Sequence, residues 1–592
     1  MGKRKALSFT AIWRWLQKRA DNVEQVTSRH STVFFRSRAD NLREIRGSLA
    51  IWLGLFGLLI VIVLSQALVY GVNFQTQTGG RGGVYAEGII GEVKSFNPIL
   101  ATTEDEKAIS KLVYGSLLRI DGTNNLGGDI AETWLPGPDG LSYDVRIKNH
   151  VRWQGSDEVV TVDDVLFTIN LIQNPQINSP LYDTWRAIEV EKIDNLTLRF
   201  KLRTALASFP QVLTFGVLPK QDLVKVEIAG MREHLTEHVV RGSGPYSYRN
   251  TVIAQSKNTV YGFVANDGYH RGAPKIASIH IESYADNNSL VGGFNDGEVN
   301  MATGLALPTA QEIAKSNDSA ILTTPLDSGV FALFNTTTGV TSDKAVRQAL
   351  RLAVDRDAVR ASARVGERLP GVLETPIAPG IYTTVDNAVQ PIYNFGEAAK
   401  ALNSAGWAIG RDKYRTKSGQ PLSLNVVTVK DSDYVAAANS LVEQWRAIGI
   451  DAKLTMADAE TFQQNYLIPR SYDVLVYQLQ LGADADEYVY WHSSNARAQG
   501  LNLSNYTSPV ADLALTRGRA QADEAARETQ YKSFVNAWLD DAPAVALYQA
   551  NFYSLQDRAV RAFGGFTLAT EADRYRDVVN WTVSSTTVNK TP

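Results

Sequence analysis

The hydrophobic pattern changes character once along the chain, near residue 75. Before that point Leu49 to Phe74 reads LAIWLGLFGLLIVIVLSQALVYGVNF, with Ser65, Gln66 and Asn73 its only polar side chains, all in the last third. A core helix of a water-soluble domain keeps a polar face. This run has none and exceeds the roughly 20 residues that cross a bilayer, which predicts a transmembrane helix over 49–74. Beyond it the pattern breaks into short pieces of two periods. GLSYDVRI (140–147), after the turn signal PGPDG (136–140), and NLTLRFKL (195–202) alternate apolar and polar positions and predict half-buried strands. Helical spacing predicts helices over 104–118 (Ile109, Leu112, Val113, Leu117), 161–173 (opened by Thr161 and Asp164 as a capping box), 342–360 (Ala345, Val346, Ala349, Leu350, Ala353, Val354) and 436–448, ended by Gly449. GSGPY (242–246) predicts a tight turn where two backbones approach closely. With no internal repeat and with helices and strands in irregular order, the expectation is a mixed α/β protein with two or more sheets.

Charge sharpens this division. The chain carries 59 Lys/Arg and 62 Asp/Glu for a net −3, but residues 1–48 hold eleven basic side chains against four acidic ones. That segment is therefore +7, which leaves −10 for the remainder, and no charged residue lies between Arg46 and Arg81. A basic flank holds the N-terminus in the cytoplasm, and Trp52 and Tyr70 stand where interfacial aromatics belong. A cleaved signal peptide has a short basic region and an apolar core of about 7–15 residues, so an uncleaved signal-anchor is the expectation. The amphipathic stretch around Ile12, Trp13, Trp15 and Leu16 suits the surface of an anionic membrane. QTQTGGRGG (75–83) then reads as a flexible linker, 84–582 as the folded body outside the membrane, and 583–592 as a disordered tail.

Composition removes several chemistries. Near-balanced charge argues against nucleic acid as a partner. The absence of cysteine excludes disulfides, thiol nucleophiles, Cys-ligated zinc and a lipidated N-terminal cysteine. Neither a GxxxxGK[ST] phosphate loop nor a GxSxG elbow occurs. His234-Leu-Thr-Glu237-His238 fits HxxEH, which on a helix places two imidazoles on one face, but no third zinc ligand is in view, and surface-helix residues are the simpler account. ADADE (483–487) gathers three carboxylates that could bind calcium or a cationic ligand, against the plainer reading of a solvated loop capping the next helix. Trp153, Tyr477, Tyr488, Trp491 and Tyr548 could line a pocket, although most aromatic residues of such a chain are core.

Several stretches taken together resemble the oligopeptide/dipeptide/nickel-binding class (family 5) of extracellular solute-binding proteins of ABC importers. They are AETW (131–134), PDGLSYDVRI (138–147), VRWQGS (151–156), TVDDVLFT (161–168), RGSGPY (241–246), FNTT (334–337) with Asp343 and AVRQALRLAVDR (345–356), ALNSAGW (401–407), GADADEYVYWHS (482–493) followed by NLSNY (502–506), and DRY (573–575) with Trp581. They occur in the family's order over nearly all of 84–582. Ala485 stands where the family's acidic motif has proline, and the anchor segment stands in for the missing lipid-bearing cysteine.

The resemblance implies a periplasmic-binding-protein-like clamshell with mixed sheets: one lobe from 84–324 plus 548–582, the other from 325–547. It implies a binding protein and not an enzyme, with no catalytic residue, metal or cofactor. Extracellular peptides would be captured by lobe closure and delivered to ABC permease subunits served by a cytoplasmic ATPase. The body would be monomeric and extracellular or periplasmic. An α-ammonium buried in the cleft needs a carboxylate partner. The resemblance implies Asp484 for this, with Asp486 second, and adds Tyr548, Trp491 and Trp153 as cleft aromatics weighed against packing roles. A non-peptide solute (nickel chelate, sugar, opine) and a peptide receptor or chaperone uncoupled from import remain the alternatives.

Overall fold

The computed structural model describes residues 51–63, 65, 75–79 and 81–589, apart from 122–124, 255, 306, 317–318, 365–367, 431, 433, 558–559, 561–565 and 584. The basic segment 1–48 and much of the apolar run (49–50, 64 and 66–74) thus lie outside the described residues. The chain divides into two compact units, 1–78 with 586–592, and 79–585.

In the first unit residues 51–63 are helical and every one is exposed, including Trp52, Leu53, Phe56 and Val61. Among the described residues no helix is long and apolar enough to cross a membrane; the rest of the predicted span lies outside them. Gln75–Gly79 and Ser585–Asn589 form a two-stranded sheet where a flexible linker and a disordered tail are expected. The first carries alternating Thr76 and Thr78 and the second the β-branched run Thr586-Thr587-Val588, a short strand signal that neighbouring glycines and the chain end obscure.

The body is organised by a ten-stranded mixed sheet. Its strands are β1 (Val84–Ile90), β2 (Tyr246–Ile253), β3 (Thr259–Ala265), β4 (Ser278–Tyr284), β5 (Met301–Thr303), β6 (Ser319–Phe334), β7 (Ser423–Val429), β8 (Asp451–Ala457), β9 (Val474–Gln480) and β10 (Ala544–Asp557), in the order β8-β7-β9-β6-β10-β5-β1-β4-β3-β2. Pairs β1–β4, β1–β5, β7–β8 and β7–β9 are parallel; the others are antiparallel. A separate four-stranded antiparallel sheet contains Ser142–Ile147 and Thr197–Lys201, the two strands expected from alternation.

The helices that matter below are α1 (Glu104–Val113), α2 (Val162–Gln173), α3 (Lys344–Leu352), α4 (Val435–Ala447), α5 (Pro509–Ala520) and α6 (Glu524–Asp541). Thr161 caps α2 reciprocally with Asp164, and Thr103 caps α1 with Glu106 in the same way. The helix expected over 104–118 stops at Tyr114, and Leu118 belongs to a strand instead. The reason lies at 242–244: any Cβ on Gly242 would fall 1.8 Å from the Val113 carbonyl oxygen, so the turn there abuts the end of α1. The helix expected over 342–360 is two, because Asp355 turns its carboxylate onto the Ala358 N–H and starts a second helix at Arg356.

Buried apolar residues sort by sequence. Two clusters draw on 85–321 and 555–581, and two others on 326–552 with Leu568. Among the described residues, only the antiparallel pair β6–β10 runs from one group into the other as continuous strands. Its register holds from Ser319↔Asp557 to Pro325↔Asn551, lapses over 326–328, and resumes at Gly329↔Gln549. In the gap Asp327 N–H donates to Leu568 O and Leu568 N–H to Pro325 O, each at 2.8 Å. The side-chain amides of Gln549 and Gln480 donate to the carbonyls of Leu326 and Asp327, both at 3.0 Å. The Asp327 N–H and both carbonyls of 326–327 thus find partners outside the interrupted ladder, as burial demands.

The first group is closed by a buried charge pair. Arg574 Nε donates to Glu87 Oε1 on β1 at 3.0 Å, and Nη2 donates to Asp105 on α1 at 2.7 Å. The side chains of Arg574 and Glu87 are 1% and 0% exposed. Tyr85 and Tyr575 each donate a phenol to Glu87 Oε2 at 2.6 Å, and Thr303 donates to Oε1 at 3.0 Å. Removing one partner of such a pair leaves a charge in the core. Arg574→Met should lower unfolding free energy by about 3–5 kcal/mol in urea melts of the full chain, with Glu87→Gln in the same chain recovering part of it.

Candidate functional site

β9 ends at Gln480, beside the gap in the ladder. The N–H groups of Leu481 and Gly482 both donate to the Asp327 carbonyl, at 2.8 and 2.9 Å. This fixes the start of the acidic loop, which runs through Asp484, Asp486 and Glu487 into the helical turn Tyr488–Trp491.

The three carboxylates have three different environments. Asp484 is held in a fork by Arg527 of α6, at 2.6 Å (Nη2–Oδ1) and 3.0 Å (Nη1–Oδ2), and its Oδ1 also accepts the Asp486 N–H at 2.9 Å. Arg527 further donates Nε to the Gly518 carbonyl and stands against the phenols of Tyr382 and Tyr531. Burial by itself would pull this guanidinium down, but the Asp484 carboxylate outweighs it and holds Arg527 above its ordinary range. Asp484 is thus neutralised within the protein.

Asp486 is engaged on one side only. Its Oδ2 accepts from Ser208 Oγ at 2.9 Å and from Arg519 Nε at 3.0 Å. Its Oδ1 is buried with no partner among the described residues, and the side chain is 7% exposed. Ser208 belongs by sequence to the stretch that feeds the first core group and Asp486 to the second. A backbone bond from Ala207 N–H to the Arg519 carbonyl, 2.8 Å, lies alongside. The Arg519 guanidinium also covers the Tyr488 ring at 4.2 Å.

Glu487 is 1% exposed and neither carboxylate oxygen has a partner among the described residues. Desolvation, reinforced by the charges of Asp486 and Asp484, raises its carboxyl well above the ordinary value. It occupies the N-cap position of the 488–491 turn without capping it.

The aromatic candidates sit in packed cores. Trp491 meets Trp538 edge-on at 5.7 Å, Trp153 is 2% exposed within the first group, and Tyr548 is buried on β10 opposite Val330. His234 and His238 stack at 4.6 Å at the end of the helix Ile228–Glu237, and among the described residues no three His, Asp or Glu side chains form a metal-sized group. Sequence reasoning singles out the acidic run but not Arg519, Arg527 or Ser208. Those partners come from 33, 43 and 278 positions away, beyond any local pattern.

An α/β body with two core groups joined through one strand pair, and a loop of carboxylates at that junction, is a binding-protein architecture. The model for bacterial extracellular solute-binding proteins, family 5, matches residues 125–500, and the chain belongs to that family. The oligopeptide-binding protein AppA of Bacillus subtilis is 26% identical over 479 residues, covering 80% of this chain and 87% of AppA. The solved structure of AppA in complex with a nonapeptide superposes with a TM-score of 0.65 at 25% identity, covering 85% of this chain and 99% of that one. NikZ of Campylobacter jejuni in complex with Ni(L-His) shares the fold, with a TM-score of 0.67 at 23% identity over 84% of this chain and 99% of NikZ.

The raised Glu487 carboxyl has a measurable sign. A folded state that holds this proton more tightly than the unfolded chain gains nothing at acid pH from losing it. Stability therefore declines as pH rises from about 4.5 toward the raised value, by at most about 1.4 kcal/mol per pH unit. Melting temperatures from pH 4.5 to 8 should fall for the wild type and flatten for Glu487→Gln, leaving the variant the more stable at neutral pH.

Proposed function

We propose that this protein is the substrate-binding component of an ABC importer, which captures peptides outside the cell and passes them unaltered to a permease. The lobes are 84–324 with 548–582, and 325–547. The sorting of the buried cores supports this division, with the changeover in β10 a few residues past 548, between Phe552 and Leu555. The interrupted β6–β10 ladder serves as the hinge, and the Ala207–Arg519 and Ser208–Asp486 bonds as the closed seam.

The observation that carries the ligand class is the unpartnered Oδ1 of Asp486. A buried acceptor without a donor costs about 1–3 kcal/mol. Parting the lobes uncovers it, and closing them over a peptide α-ammonium satisfies it with a charge-assisted bond. Asp484, already committed to Arg527, positions the loop instead. The order of the two aspartates is thus the reverse of the one the family resemblance implies. Relatives support the peptide reading: AppA is named an oligopeptide-binding protein, and the 23% identical relative in Escherichia coli a dipeptide-binding protein.

Asp486→Asn should weaken a free-amine peptide about 10- to 100-fold by calorimetry, and N-acetylation of the peptide should weaken it comparably. An unchanged affinity in both arms refutes the assignment. Asp484→Asn should instead cost about 3 kcal/mol of stability, because Arg527 loses its counter-charge, at 7% side-chain exposure. Preferential binding of Ni(L-His) over any peptide would move the protein to the chelate reading.

We further propose that residues 49–74 anchor the body to the membrane with 1–48 in the cytoplasm. The wholly exposed apolar helix 51–63 supports this, since water offers such a surface no favourable environment. Tethering would keep the binder at a high local concentration beside its permease. Deleting 1–74 should move the protein from the membrane fraction to the soluble fraction; an unchanged distribution removes the anchor.

A further inference from the structure

A concavity of about 360 Å³ lies where the body's chain ends meet, lined by Arg81, Arg271, Gly272, Lys275, Val579 and Asn580 together with Ala273. Three separate segments build it. Gly82 N–H donates to the Lys275 carbonyl at 2.7 Å, and Lys275 N–H to the Val579 carbonyl at 3.3 Å, so the cations are carried on backbones fixed to one another. No carboxylate lines the concavity.

Elsewhere on the surface basic side chains are commonly paired, as in Lys107–Glu104, Arg146–Glu132 and Lys192–Asp163. Among the described residues Arg81 and Lys275 make no ion pair with a carboxylate; the Arg271 guanidinium donates to the Tyr269 phenol at 3.4 Å and lies within electrostatic reach of Asp129, whose carboxylate is already bonded to His270. Three cations converging on a hollow with no carboxylate in its lining are out of character for a body that is net negative. Such a site is complementary to a phosphate-bearing group.

We propose that this hollow binds the phosphate of an anionic phospholipid headgroup and so docks the body on the membrane. The choice of a lipid over a free anion rests on the anchor reading above. Arg81 follows the apolar run by seven residues, a reach of at most about 25 Å when fully extended. A headgroup layer is thereby within range of the hollow, and the local supply of lipid phosphate exceeds that of any dilute solute. Arg81, Arg271 and Lys275 donate to the phosphate oxygens, and no covalent step is involved.

The test uses the full chain reconstituted into lipid nanodiscs, with incorporation read by co-elution and docking read by hydrogen exchange over 271–275 and 579–580. Exchange there should slow about five-fold or more between discs of pure phosphatidylcholine and discs containing phosphatidylglycerol. The protection should vanish at high salt and in the Arg81→Gln, Arg271→Gln, Lys275→Gln triple variant. Should that variant fail to fold, the salt arm on the wild type decides. Equal exchange in both discs with co-eluting protein overturns the docking alone. Protection by inorganic phosphate in phosphatidylcholine discs reassigns the site to a free anion and overturns the lipid source. A chain that does not co-elute with discs removes the anchor, and the docking with it.

Discussion

The antiparallel pairing of β6 with β10, and its lapse over 326–328, is the constraint on which the rest of the body depends. A continuous ladder would join the two core groups into one stiff sheet, and a complete break would leave buried carbonyls and amides without partners. The chain adopts neither extreme. Leu568 and the two glutamines satisfy the gap from outside the ladder, so the strands pass through while the register is released. Gly329, where the ladder resumes, has Leu373 and Phe331 so close that any Cβ would come within 2.3 and 2.6 Å of them. The acidic loop hangs from the same point through the Asp327 carbonyl. In the hinge proposed above, a rotation about the gap would carry Asp484, Asp486 and Glu487 as one body relative to Ser208.

Energetically the part of the seam beside the acidic loop is light. One backbone bond from Ala207 and one side-chain bond from Ser208 contribute about 1 kcal/mol each, while a ligand that drives a protein from mostly open to mostly closed must supply roughly 5 kcal/mol of differential contact. In the closure proposed above, a seam this weak would leave the decision to the ligand. It is also consistent with a carboxylate oxygen left unfilled: Asp486 is held in place by Ser208 and Arg519 on one side and retains unused capacity on the other. Neighbouring acids in a single pentapeptide are thus given different environments by what packs against them.

What was legible in the sequence is what is local. The capping box at Thr161 and Asp164, the alternation over 140–147 and 195–202, and the close approach at Gly242 each rest on residues within one turn or one strand of each other, and each is present. Errors arise where a distant contact competes. Helical periodicity across 342–360 gives no warning that Asp355 will cap anew, and the helix after 104 ends early because a turn more than a hundred residues later abuts it. The strand order could not be read, since β1 pairs with β4 and β5 across long intervening chain. At the site, the acids were visible but their arginines were not; α5 and α6 present Arg519 and Arg527 as two charged residues among many on mixed helical faces.

The buried Glu87–Arg574 pair spans 487 positions. A ribosome delivers the carboxylate long before its counter-ion, and until Arg574 and Tyr575 emerge the first core contains a charge it cannot bury. Completion of that core therefore waits for the last residues of the body. A premature stop anywhere upstream of residue 574 would release a product whose opening strand has no means of closing its own interior.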